Sequence, residues 1–277
     1  MIANLNSTVV ARLLAPALVP LAVFAGGATA MTPAPFGQPK FVMWKLIFDD
    51  EFNGTSLDTT KWWPGWNTPT VGSWSWPKNV LEQACYEPTN ISVGGGKLTM
   101  QIIPNSDPNC QVQGGAQAPY SGALIATNKS FTFTYGYVEG RMYYPGVTGS
   151  LYNWPVIWTL GLGTWPATGE FDIAEVTSPH DNNAQAEPCA AYHSATTLPR
   201  FCPGGNYLGW HIYGMDWEPG YIRFYFDGKV VGTVTNAVVA SPQAIIIDYS
   251  AGLWGGAIHP NVPMHVDYVR VWQRVVN

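Results

Sequence analysis

Short runs of alternating or β-branched apolar residues, separated by clusters of turn formers, fill this chain, and no stretch sustains a helical period. That pattern predicts strands and excludes a helical bundle. Strands are expected near residues 41–48, 97–103, 123–127, 135–144, 156–160, 170–176, 190–194, 212–217, 221–226, 229–234, 245–249 and 264–275. Asp227-Gly228, between two such runs, is a hairpin turn signal. Within 135–144 the odd positions carry Tyr137, Glu139, Arg141 and Tyr143, with Val138 and Met142 opposite them, so one face is polar and aromatic and the other is core. At 277 residues and 47% hydrophobic, the chain can bury a large core as one domain. These features together predict an all-β sandwich or barrel. No internal repeat or low-complexity tract interrupts it. The Gly- and Pro-bearing stretches 62–79 and 105–120 are long loops, expected at the rim of a cleft.

The chemistry is concentrated in Glu170-Phe171-Asp172-Ile173-Ala174-Glu175. On a strand, Glu170 and Asp172 point to one face and Glu175, at an odd offset, to the other. One extra residue, a β-bulge around Ile173-Ala174, would restore Glu175 to the face of the other two, and bulges concentrate beside active sites. Cleaving a glycosidic bond takes one carboxylic acid to protonate the leaving oxygen and one carboxylate across the anomeric carbon. Two Cα atoms roughly 13 Å apart along a strand, with Glu side chains leaning together, can bring their carboxyls to about 5–5.5 Å, the spacing of a retaining enzyme. Glu170 is then the nucleophile and Glu175 the acid/base, with Asp172 tuning both by hydrogen bonding and like charge. Acidic clusters are commonly solvated strand faces. Here only 11% of residues are charged, and the cluster is flanked by Trp154, Trp158 and Trp165 rather than by lysines.

The balance of the composition agrees. Aromatics make up 14% of the chain, with 13 Trp and 14 Tyr, and the formal net charge is -5. An acidic chain lacks the basic footprint that nucleic acid requires. Flat aromatic side chains, where exposed, suit the apolar C–H faces of sugar rings, so a neutral polysaccharide is the expected partner.

Gly169-Glu170-Phe171-Asp172-Ile173-Ala174-Glu175, preceded by Asn153-Trp154-Pro155-Val156-Ile157-Trp158, resembles the signature of glycoside hydrolase family 16 in the bulged form found in laminarinases. Phe48-Asp49-Asp50-Glu51-Phe52, Tyr135-Gly136-Tyr137-Val138-Glu139-Gly140-Arg141, Tyr213-Gly214-Met215-Asp216-Trp217 and Val266-Asp267-Tyr268-Val269-Arg270-Val271-Trp272 resemble further family blocks, in family order. The resemblance implies a β-jelly-roll sandwich of two curved antiparallel sheets with an open concave cleft. It also implies an endo-acting, retaining hydrolase of β-1,3-glucan. Mixed-linkage β-1,3-1,4-glucan, a galactan such as agar, and transglycosylation share the same carboxylate core. A non-catalytic glucan-binding lectin on this scaffold would lose the two glutamates, which this chain keeps.

By the same resemblance, Trp154, Trp158 and Trp217 stand beside the sugar at the cleavage site, His193 tunes the acid/base, and Asn79, Glu82 and Arg141 contact substrate. The block Asn79-Val80-Leu81-Glu82-Gln83-Ala84-Cys85-Tyr86 departs from the family's Glu-Leu-Gln-Tyr-like run and carries a cysteine. Many relatives hold a structural Ca²⁺; Glu51 and Asp267 match its ligand positions, and Gly96 could offer a carbonyl. Catalysis itself is expected to need no cofactor.

Arg12, the apolar run Leu13–Ala25 and Ala28-Thr29-Ala30 read as an export signal over residues 1–30. A disordered lead-in over 31–40 and a single catalytic domain over 41–277 follow. The expected product is a secreted, extracellular monomer with no membrane attachment once the signal is removed. Four cysteines suit an oxidising compartment and allow three pairings. Proximity in sequence favours Cys85 with Cys110 and Cys189 with Cys202.

Overall fold

The computed structural model describes residues 34–39, 42–66, 79–178 and 185–275. The expected export signal and residues 31–33 lie outside them. Pro33–Asn277 forms one compact unit. In chain order its strands are β1 (Trp44–Asp50), β2 (Trp63–Pro64), β3 (Ala84–Tyr86), β4 (Ile91–Val93), β5 (Leu98–Met100), β6 (Ile103–Pro104), β7 (Tyr120–Ala126), β8 (Gly136–Tyr144), β9 (Gly146–Val147) and β10 (Ser150–Leu151). There follow β11 (Trp154–Gly161), β12 (Glu170–Thr177), β13 (Glu187–His193), β14 (Arg200–Phe201), β15 (Gly209–Glu218), β16 (Gly220–Phe226), β17 (Lys229–Ala237), β18 (Gln243–Ser250) and β19 (Met264–Arg274). Each strand expected from the sequence has a counterpart here. The additional ones are mostly two or three residues long, too short to show a period of two.

Two large sheets form a jelly-roll sandwich. The outer sheet runs β17-β16-β15-β8-β19-β5-β4, with β1 also paired to β19. The other, which carries the groove, runs β14-β13-β12-β11-β18-β7-β2, with β3 and β6 also paired to β7. All of these pairings are antiparallel except β3 with β7. Alternate residues of each sheet point inward and make the core: Val138, Met142, Met215, Trp217 and Phe224 from one side meet Ile125, Ile157, Phe171, Tyr192, Ile245 and Ile247 from the other. On the groove sheet the opposite phase, including Leu124, Trp154, Val156, Trp158 and Ile246, forms a separate apolar floor.

Ala34–Pro39, expected as disordered chain, instead packs on the outer sheet. The Phe36 N–H donates to Glu139 Oε2 at 2.9 Å, and Tyr137 Oη donates to the Phe36 carbonyl at 3.4 Å. With Tyr268 Oη donating to its other oxygen at 3.1 Å, Glu139 is left only 1% exposed. These bonds are what permit a carboxylate to be buried there.

The disulfides are Cys85–Cys110 and Cys189–Cys202, the pairing favoured by sequence proximity. The first ties β3 to the 105–120 stretch. That stretch was expected at the cleft rim, but none of its residues lines the groove; it folds back on itself through a Gln111–Gln117 bridge. Of the other long loop, residues 67–78 lie outside the described residues, while the flanking Trp66 and Asn79 stand at the groove.

Candidate active site

Strand β12 enters from Gly169, whose φ of +79° makes the turn and where a Cβ would come within 2.6 Å of the Val239 side chain. Opposite β13, Asp172 pairs with Ala191 and Glu175 with Cys189, so three steps on β12 match two on β13. Against β11 the extra residue falls between Asp172, opposite Trp158, and Ala174, opposite Ile157. This is the expected bulge. Phe171, Ile173, Ala174 and Val176 all join the core, and Glu170, Asp172 and Glu175 all line the groove, which encloses about 830 Å³.

His193, opposite Glu170 on β13, places Nε2 2.9 Å from Asp172 Oδ2 and 3.6 Å from Glu170 Oε1. Burial works against a charge on this imidazole. The hydrogen bond to Asp172 and the fields of Asp172, Glu170 and Glu175 outweigh it and lift the pKa to about 9. Both glutamates are pushed up as well, first by burial and then by Asp172. His193 and a Trp165 hydrogen bond oppose the shift at Glu170, while Arg200, Trp154 and His193 oppose it at Glu175. A proton held between Glu170 and Glu175 leaves the cluster balanced against the imidazolium and the Arg200 guanidinium. That is the state in which one carboxyl is an acid and its neighbour a nucleophile.

Trp154 and Trp158 stand on the groove floor on β11, and each spends its indole N–H on a carboxyl oxygen. Trp154 Nε1 donates to Glu175 Oε1 at 3.0 Å, and Trp158 Nε1 to Asp248 Oδ1 at 2.6 Å. Asp248, on β18, and Glu82 form a second acidic pair. Tyr86 Oη donates to Glu82, with Asp248 Oδ2 3.3 Å away, and Ser250 Oγ lies 3.4 Å from Glu82 Oε2. Burial first, and the charge of Glu82 second, hold the Asp248 carboxyl well above the usual carboxylate range. Asn79 is fixed beside them, its N–H donating to Glu82 Oε1 at 3.0 Å.

On the far side of β12, Arg200 Nη2 donates to Glu175 Oε2 at 3.0 Å, and Trp165, Leu198 and Trp254 complete the lining. Asp248, Tyr86, Arg200, Trp165, Leu198 and Trp254 were not singled out as site residues by the sequence. Asp248 left a trace: in the apolar run 245–249 it is the one acid, in phase with Ile246 and out of phase with the core residues Ile245, Ile247 and Tyr249.

Two expected substrate contacts are corrected. Trp217 is 0% exposed, enclosed in the core by Phe133, Tyr135 and Phe171 at ring distances of 5.9, 4.8 and 5.0 Å. On β15 it shares the inward phase of Tyr213 and Met215, so no sugar reaches it. Arg141 lies on β8 of the outer sheet, paired with Asp267 at 2.8 Å and stacked over Trp210 at 4.8 Å.

The expected calcium ligands do not fit the ion. Glu51 is held by both Nε and Nη2 of Arg270 at 2.7 and 2.8 Å, and Asp267 by Arg141. Each carboxylate's charge is therefore taken by a guanidinium on a different strand. Gly96 could add one backbone carbonyl, and with both carboxylates so engaged the set falls short of the six to eight oxygens that Ca²⁺ needs. In the groove, Glu170, Asp172 and His193 bring their ligand atoms within 4.8 Å of one another, a closeness accounted for by the His193–Asp172 hydrogen bond.

A family model described as "Glycosyl hydrolases family 16" matches residues 83–270. Among curated proteins, the glucan endo-1,3-beta-glucosidase A1 of Niallia circulans is 31% identical over 279 residues, covering 85% of this chain and 39% of the relative. An endo-1,3-1,4-beta-glycanase of Rhizobium meliloti (strain 1021) is 28% identical over 252 residues, covering 81% of this chain and 51% of the relative. The chain thus spans 39% and 51% of the length of these two relatives. Among solved structures, the laminarinase from Rhodothermus marinus superimposes with a TM-score of 0.67 at 25% identity, covering 86% of this chain and 100% of that one.

Proposed function

The chain belongs to glycosyl hydrolase family 16, and from that premise we propose that it is an endo-acting, retaining β-glucan hydrolase whose main substrate is β-1,3-linked glucan. The observation that carries the reading is the bulge at Ile173-Ala174, which puts Glu170, Asp172 and Glu175 on one face of an open groove. An open groove admits a chain in its middle and so suits endo cleavage.

Glu170 attacks the anomeric carbon and forms a glycosyl ester while Glu175 gives its proton to the departing oxygen. Water then enters, Glu175 takes a proton from it, and the ester to Glu170 is cleaved with net retention. Asp172, hydrogen-bonded to His193, holds negative charge between the two and keeps the imidazolium facing Glu170. Trp154 fixes Glu175 through Oε1. Trp158, Trp165 and Trp254 offer flat faces for the pyranose rings. None of these steps calls on a metal or cofactor.

The resemblance to bulged laminarinase sequences and the 31% identical endo-1,3-beta-glucosidase support the β-1,3 linkage. The endo-1,3-1,4-beta-glycanase relative supports mixed-linkage glucan as a second reading. We read residues 1–30 as an export signal and the mature protein as a secreted monomer; two disulfides suit an oxidising compartment. Product analysis on laminarin, lichenan, agarose and xyloglucan tests the assignment. Laminarin cut to a ladder of β-anomeric oligosaccharides is the expected result. Agarose or xyloglucan as the preferred substrate, or α-anomeric products, would overturn it.

A further inference from the structure

Arg200 occupies an unusual place for a cation. It lies on the two-residue edge strand β14, registered opposite Ala191 of β13, and its guanidinium sits 5.3 Å over the Trp254 ring while Nη2 donates to Glu175 Oε2 at 3.0 Å. Two backbone-paired residues make a weak strand. The Cys189–Cys202 disulfide reinforces it: Cys189 is the residue registered opposite Glu175, and Cys202 follows β14 directly.

We propose that Arg200 is a positioning residue for the acid/base, clamping the Glu175 carboxylate from the side opposite Trp154, and that the Cys189–Cys202 disulfide holds Arg200 in that place. Trp154 Nε1 takes Oε1 and Arg200 takes Oε2, so the carboxylate is fixed at both oxygens. The clamp suits the glycosyl-enzyme stage, when Glu175 is ionised and must stay aimed at the incoming water. During the first step Glu175 carries a proton and needs the guanidinium less. The stacking on Trp254 gives Arg200 a support that does not depend on the charge of Glu175.

The proposal rests on the reading of Glu175 as acid/base, and its test separates the two. The charged or titratable groups facing Glu175 are Glu170 and Asp172 on its own strand, His193 on β13, Arg200 on β14, Asp248 on β18 and, from the outer sheet, Tyr144 on β8. Burial and Asp172 raise the Glu175 pKa, and Arg200 is the largest influence opposing them. Removing the guanidinium should therefore let Glu175 keep its proton to higher pH. In Arg200→Ala the basic limb of kcat/KM on laminarin is expected to move up by about one pH unit. Arg200→Lys, which keeps the charge, should bring the limb back toward its original place. Replacing Cys189 and Cys202 together by Ser, with Arg200 intact, should move it up by an intermediate amount.

The same titration is read without substrate from the carboxyl ¹³C shift of Glu175 in ¹³C-glutamate-labelled protein, assigned by its absence in Glu175→Gln. A Glu175 midpoint unchanged in Arg200→Ala would overturn the clamp. An unchanged midpoint in the disulfide variant alone would overturn the disulfide's part in it. A shifted midpoint in a protein that cleaves no glucan would uphold the clamp and sink the proposed reaction instead.

Discussion

His193 donates from Nε2 to Asp172 Oδ2 at 2.9 Å while standing 3.6 Å from Glu170 Oε1, so one imidazolium on β13 serves two carboxylates on β12. Folding lifts its pKa from 6.5 to about 9 against the cost of burial. The stabilisation this represents is complete below pH 6.5 and is lost as pH climbs through 9. In His193→Gln, which keeps a donor but not the charge, the drop in Tm relative to wild type should be largest near pH 6 and shrink toward pH 9. Turnover should fall by about 10²-fold or more. A Tm difference that grows with pH would contradict the charged state of His193.

Replacing either groove glutamate by its amide should separate chemistry from binding. Glu170→Gln and Glu175→Gln each keep the shape of the groove but remove a group that forms or breaks a bond, and turnover should fall by at least about 10³-fold. Laminarin affinity, measured calorimetrically, should change little. The two roles differ in rescue: azide added to Glu170→Ala should give an α-glycosyl azide, whereas azide added to Glu175→Ala should give the β-configured product. A near wild-type rate for either amide variant would remove that residue from the mechanism.

Trp217, on β15 of the outer sheet, and Trp165, in the connection from β11 to β12, are expected to behave oppositely. Trp217, fully buried against Phe171, should cost about 3–5 kcal/mol when cut to Ala and lower the urea midpoint, with KM of the remaining folded enzyme unchanged. Trp165 is 56% exposed and lines the groove, so Trp165→Ala should raise KM and leave the urea midpoint in place. A raised KM in Trp217→Ala with unchanged stability would return that ring to the substrate.

The parts of the fold and site legible in the sequence are those governed by the period of two. The parity of Glu170, Asp172 and Glu175 demanded a bulge, and the bulge is there because the alternative would drive Glu175 into the space held by Ile173 and Ala174. The same rule, applied to β15, places Trp217 with the buried Tyr213 and Met215, on the face opposite to the one that the family resemblance implies. Arg141 and Asp267 were legible as single residues but not as a pair, because they stand 126 positions apart and meet only when β8 lies beside β19. Asp248 was hidden for the same reason. Its partners Glu82, Tyr86 and Trp158 come from distant segments, and no local spacing links them.

Asp248 gives a prediction of opposite sign to that for His193. Burial, then the charge of Glu82, hold its folded pKa well above the 3.8 of a free aspartate. In the unfolded chain the group ionises freely, so stability is drawn away as pH rises above 3.8 and continues to fall until the folded carboxyl also ionises. Asp248→Asn removes that liability. Its side-chain oxygen can still accept from Trp158 Nε1, which now donates to Asp248 Oδ1 at 2.6 Å. The Tm of the variant minus that of wild type should therefore grow more positive from pH 4 to pH 8. Because the amide offers a sugar hydroxyl a donor in place of a carboxyl, KM should change more than kcat. A Tm difference that shrinks with rising pH would show instead that Asp248 is stabilised as a carboxylate, and that Glu82 carries the proton of the pair.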